Sequence, residues 1–130
     1  MTEPVPRRVL ALYAHPDDAD VSCGGTMARW AAAGAAVQVV VCAAGDKGSS
    51  DAAVDPAGLA RRRAAEVAAA AAALGLSGHH LLGHPDGELQ NEPPLREELV
   101  TLVRRHRPDT VLCPDPTAVF FGATYVNHRD

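Results

Sequence analysis

Val9-Leu10-Ala11-Leu12-Tyr13-Ala14-His15-Pro16-Asp17-Asp18 is an apolar run that stops on a histidine and two adjacent carboxylates. The apolar part is short and continuous, the pattern of a strand buried on both faces. A charged cluster therefore stands where a strand ends and a loop begins. In open α/β sheets, ligands bind outside the carboxyl ends of the strands. Adjacent acids repel, a cost that a cation or a shared proton offsets. His15 and Asp18 are three apart, so a tight turn can bring both onto one ion. Pro16 fixes its own φ and biases His15 toward extended backbone, leaving Asp17 to face whatever the ion holds. Imidazole plus carboxylate with open positions suits a catalytic zinc. A solvated turn would account for a lone Asp-Asp. The preceding His-Pro, at the end of the first strand, favours a site.

Outward from this stretch, strands and helices alternate. The first strand runs from about Arg8 to Tyr13 after a loose, proline-bearing arm. The acidic loop leads through Ser22-Cys23-Gly24-Gly25-Thr26 to a helix ending near Ala33, with Gly34 as its stop. Ala36 to Cys42 is a β-branched run and reads as a second buried strand. A small loop with Gly45-Asp46-Lys47-Gly48 follows. Asp55-Pro56 then opens a helix as cap and first-turn proline. That helix carries Arg61-Arg62-Arg63 and an alanine tract to Leu74, and Gly75 ends it. A strand near His79 to Leu82 leads to Gly83-His84-Pro85-Asp86-Gly87. Pro93-Pro94 opens a helix whose Leu95, Leu99, Leu102 and Val103 form one apolar stripe, with His106 exposed near its end. Thr110 to Cys113 is a fourth strand. This alternation implies βαβ units and a mainly parallel sheet in one α/β domain spanning residues 1–130. Such a sheet would set His15, Asp17, Asp18, Asp46, Asp86 and Asp115 along one edge.

Composition narrows the function. The 130-residue chain carries a formal net charge of −4, against the basic face that general nucleic-acid binding needs. No stretch is long and apolar enough to span a membrane. The N-terminus lacks the basic-then-apolar layout of a secretory signal. Cys23, Cys42 and Cys113 are odd in number and far apart. Cys42 and Cys113 end apolar runs and read as buried thiols, which places the chain in a reducing cytoplasm.

Ala14-His15-Pro16-Asp17-Asp18 resembles the signature of the LmbE-like, PIG-L-type zinc de-N-acetylases. Further matches follow in order: Gly45-Asp46, Arg63-Ala64-Ala65-Glu66, Pro85-Asp86-Gly87, Arg107-Pro108-Asp109, Pro114-Asp115-Pro116 and His128-Arg129-Asp130. The resemblance implies a Rossmann-like three-layer fold and zinc-dependent removal of an acetyl group from an N-acetylglucosamine-type conjugate. It implies His15 and Asp18 as zinc ligands, Asp17 as general base and His128 as the group that stabilises the tetrahedral intermediate. It implies substrate contacts from Arg63 and Asp86. Two departures stand out. The fifth motif position, often Glu, is Ala19 here. The family's third zinc ligand falls three residues after His128, one past Asp130, so the chain reads as an amino-terminal portion of a longer family member, with weak zinc binding, little activity and self-association expected of it.

Two other readings compete. One is a metal-free sugar-binding or structural remnant of the same fold. The other is a phosphoryl-accepting receiver domain, which needs an acceptor Asp directly after strand three and a Lys after strand five. Here strand three ends in Leu82-Gly83-His84, and Lys47 is the sole lysine.

Overall fold

The structure of the chain, a computed structural model, describes residues 4–117, 120–122, 125–128 and 130; the side chains of 120, 121 and 125 are not described. Arg129 of the terminal motif and residues 1–3 of the leading arm lie outside the described residues. The elements run β1 (Arg8–Tyr13), α1 (Asp18–Ala32), β2 (Ala36–Ala43), α2 (Pro56–Ala73), β3 (Gly78–His84), α3 (Pro93–His106), β4 (Thr110–Leu112), β5 (Phe120–Phe121) and β6 (Tyr125–Val126).

The first four strands form one parallel sheet in the order β3-β2-β1-β4. Both inner strands are apolar on both faces, because helices cover both. Val9, Ala11 and Tyr13 of β1 and Val37, Val39 and Val41 of β2 pack with Ala19 and Met27 of α1 and Val67 of α2. Leu10 and Val40 point the other way and pack with Leu102 of α3, with Leu12, Leu82 and Leu99 around them. The result is the expected three-layer α/β fold. Leu10 and Met27 are fully buried, and each contributes about 1.5–3 kcal/mol by burial. The half-buried Trp30 packs on the Met27 side. β5 and β6 form a separate antiparallel pair.

Helix punctuation follows the residues. The Asp55 carboxylate accepts the Gly58 N–H at 2.8 Å, capping α2 with Pro56 in its first turn. Gly34 and Gly75 take positive φ just past α1 and α2.

Four expectations change. α1 starts at Asp18, not after the glycines. Asp18 and Asp20 lie in its first turn, where the helix dipole favours anions. A kink at Cys23, with φ −143°, separates that first stretch from the remainder, and Gly24 and Gly25 lie inside the helix. Cys113 is exposed, because β4 ends at Leu112 on the sheet's outer edge. Val103 is exposed, which leaves Leu102 as the buried anchor of α3. His106 is half-buried, its ring tilted against His80 with centroids 4.8 Å apart.

The carboxyl ends of the strands are laced together. Ala43 donates its N–H to Ala14 O at 2.8 Å, and Ala44 donates to His84 O at 2.8 Å. A register shift between Val41 and Ala43 accompanies this closure. The loops after β1, β2 and β3 therefore share one rim.

Candidate metal and acyl-transfer site

The turn from His15 to Asp18 closes on itself. Asp18 N donates to His15 O at 3.3 Å. The Asp18 Oδ2 accepts the His15 backbone N–H at 2.9 Å and lies 3.2 Å from His15 Nδ1. That hydrogen bond holds the imidazole's pKa up, to about 9, against the opposing effect of burial. Burial pushes the Asp18 carboxyl up, but the hydrogen bonds from the His15 ring and backbone outweigh it, and the net shift is downward. Asp17 takes the N-cap position of α1 without capping it through its side chain. Its carboxylate stays exposed on the wall of the cleft.

The other side of the His15 ring meets residues distant in sequence. Its Nε2 lies 3.0 Å from Asp86 Oδ1 and 3.5 Å from Asp130 Oδ2. The His128 ring stands edge-on to it, centroids 4.5 Å apart and planes at 88°. Asp86 is positioned by the neighbouring loop, because Asp46 Oδ1 accepts its backbone N–H at 2.9 Å. The Asp130 carboxylate accepts the N–H groups of Gly87 and Leu89, which ties the last residue to the Asp86 loop. At the rim, Lys47 donates to Glu88 Oε1 at 2.6 Å, linking the β2–α2 and β3–α3 loops.

His15, Asp17, Asp18, Arg63, Asp86 and His128 all line one cleft of about 680 Å³, with Asp130 and Lys47 beside them. The six residues singled out from the sequence thus converge. Arg63 arrives from the first turns of α2 and pairs with Glu66 at 3.2 Å, while Arg61 and Arg62 face solvent. Asp115 does not join the cleft. Its carboxylate accepts the Thr117 N–H and hydroxyl, so it closes its own exposed turn. Sequence reasoning gave no role to Asp130 or to the Lys47–Glu88 pair. The only signal for Asp130 was its place two residues after His128.

The family described as GlcNAc-PI de-N-acetylase, PIG-L, matches residues 10–130. The chain belongs to the PIG-L family. Among PIG-L relatives, diacetylchitobiose deacetylase of Thermococcus kodakarensis is 35% identical over 123 residues, covering 95% of this chain and 45% of that protein. The 1D-myo-inositol 2-acetamido-2-deoxy-alpha-D-glucopyranoside deacetylase of Kineococcus radiotolerans is 45% identical over 86 residues, 63% of this chain and 24% of that protein. The solved N,N'-diacetylchitobiose deacetylase of Pyrococcus horikoshii superposes with a TM-score of 0.86 at 30% identity, over 95% of this chain and 46% of that one. The chain spans less than half the length of these relatives. PIG-L membership confirms the resemblance read from the motifs and sets aside the receiver-domain reading.

Proposed function

We propose that this chain carries the metal-binding and proton-transfer half of a zinc-dependent de-N-acetylase acting on an N-acetylglucosamine-type conjugate. The convergence of His15, Asp17, Asp18 and His128 on one cleft carries this reading. Deacetylase relatives matched across nearly the whole chain support it.

The donor set fits zinc. Two ligands around a tetrahedral zinc with bonds near 2.0–2.2 Å stand about 3.3 Å apart. His15 Nδ1 and Asp18 Oδ2 are 3.2 Å apart. His15 and Asp18 would hold the ion, and a bound zinc supplies Lewis acidity and a water acidified toward neutrality. Asp17, exposed beside them, would serve as the general base toward a water in the cleft. His128 would donate a hydrogen bond to the acetyl oxygen as negative charge builds on it. Asp17 or His128 then returns a proton to the departing amine. Arg63 and Asp86, which line the same cleft, would take the sugar hydroxyls.

The free thiols Cys23, Cys42 and Cys113 suit a reducing compartment such as the cytoplasm, and burial pushes the Cys42 thiol up to about 11. Among the described residues, no helix is long and apolar enough to cross a membrane.

The test is acetate release from N-acetylglucosamine conjugates by zinc-loaded protein, with and without a chelator. Weak, chelator-sensitive release is expected. Release that survives complete metal removal would overturn the metal-dependent reading.

A further inference from the structure

The strand order β3-β2-β1-β4 gives the cleft two unlike sides, with the His15–Asp18 turn after β1 between them. After β2 and β3 the lining side chains are charged: Lys47, Arg63 and Asp86. Arg63 belongs to that side, because it packs on Gly45 in the loop after β2. Away from β3 the lining changes character. Pro114 lines the cleft just beyond the end of β4, one strand over from His15. Val21 lines it from the first turns of α1. Because α1 links β1 to β2 while α2 links β2 to β3, Val21 stands one place further from β3 than Arg63 does.

Val21 is 86% exposed, more than any other large apolar side chain among the described residues. Its N–H donates to Asp17 O at 3.1 Å, so it stands one helical turn beyond Asp17 on the same face of α1. Apolar surface left in water gains free energy when an apolar group covers it. Two polar groups nearby are already committed. Ser22 Oγ donates to Asp18 O at 2.7 Å, and the Tyr13 hydroxyl lies 3.4 Å from Cys23 Sγ. Pro114 brings no N–H. The side chains of Val21 and Pro114 therefore offer a ligand carbon surface rather than hydrogen bonds.

The chemistry of the sugar says which group meets that surface. The acetamide of N-acetylglucosamine hangs from ring carbon C2, and C2 stands between C1 and C3. With the acetamide at the His15–Asp18 turn and the C3 and C4 hydroxyls toward Arg63 and Asp86, C1 points the other way, toward Pro114 and Val21. We propose that Val21 and Pro114 form an aglycone subsite, selecting conjugates whose C1 substituent is an aryl or alkyl group over those with a small or polar one. This rests on the de-N-acetylase reading and defines the part of the substrate that the reading leaves open.

The probes are the phenyl and methyl glycosides of N-acetylglucosamine, with binding followed by NMR titration so that no turnover is needed. The unaltered chain is expected to bind the phenyl glycoside about fivefold more tightly than the methyl one, below the ~10-fold that one methylene gains in a closed pocket. Val21→Ser, a change at an exposed position that spares the fold, should bring that ratio near parity. On the unaltered chain, the phenyl protons should show nuclear Overhauser contacts to the Val21 methyl groups. Equal affinities, a preference that survives Val21→Ser, or phenyl contacts to Arg63 instead would overturn the subsite while leaving the sugar site standing. Binding of neither glycoside would remove the de-N-acetylase reading and the subsite with it.

Discussion

Gly45 lies flat against Pro16: a β-carbon on Gly45 would stand 3.0 Å from the proline Cγ and 3.3 Å from Arg63 Cγ. Its φ of +67° also lies where side chains are strained. The contact clamps the loop after β2 onto the turn that carries His15. Gly45→Ala is therefore expected to cost about 1–3 kcal/mol in stability, measured by urea denaturation. A neutral effect would mean that the two loops move independently.

Asp46 holds Asp86 through a single side-chain-to-backbone bond of 2.9 Å. Asp46→Ala should lose about 1–2 kcal/mol of stability, and Asp46→Asn, which keeps an acceptor oxygen, should recover most of it. Thermal melts of the three proteins check this ordering.

Asp17 sits within the His15–Asp18 turn with its side chain exposed to the cleft. Asp17→Asn should lower acetate release by about 10²–10⁴-fold, the range for a general base, and change zinc affinity less than threefold. Paired kinetic and dye-competition measurements separate the two effects. Loss of zinc on this change would make Asp17 a ligand.

Asp109 joins the start of β4 to the start of β1. Its carboxylate accepts the N–H groups of Arg7 at 2.9 Å and Arg8 at 3.2 Å. The Arg7 bond leads the causes that hold its carboxyl below the usual range. A carboxyl lowered in the folded state stabilises it fully above the unfolded value, about 3.9. That contribution fades as pH falls through the folded value. Wild type should therefore be more stable than Asp109→Asn near neutrality, with the gap closing as the medium becomes strongly acidic. Denaturant midpoints across the acid range give the comparison.

Local grammar made much of the fold readable in advance. Asp55-Pro56 and Pro93-Pro94 mark the starts of α2 and α3, and Gly75 marks the end of α2, because caps and breakers act on their neighbours. The start of α1 was hidden for the same reason. Gly24-Gly25 reads as a loop, yet the helix absorbs both glycines after its kink at Cys23. His106 reads as exposed from its place at a polar helix end, yet it is half-buried, its ring lying against His80 across the fold. Within the site, His15 and Asp18 were visible together because one turn joins them. That Asp86 and Asp130 face the opposite nitrogen depends on how three loops close over the rim. No spacing along the chain encodes that, and the clamp from Asp46 is equally silent in the sequence.

Trp30 is the chain's single tryptophan, and it packs against the cluster that contains Met27 and Val67. It rides on the same helix that opens at Asp18. The chain therefore has a built-in optical reporter: one indole, unlabelled and unambiguous, whose emission tracks how firmly α1 is seated. Titrating zinc while watching that emission would register whether ion capture at the turn tightens or slackens the helix behind it.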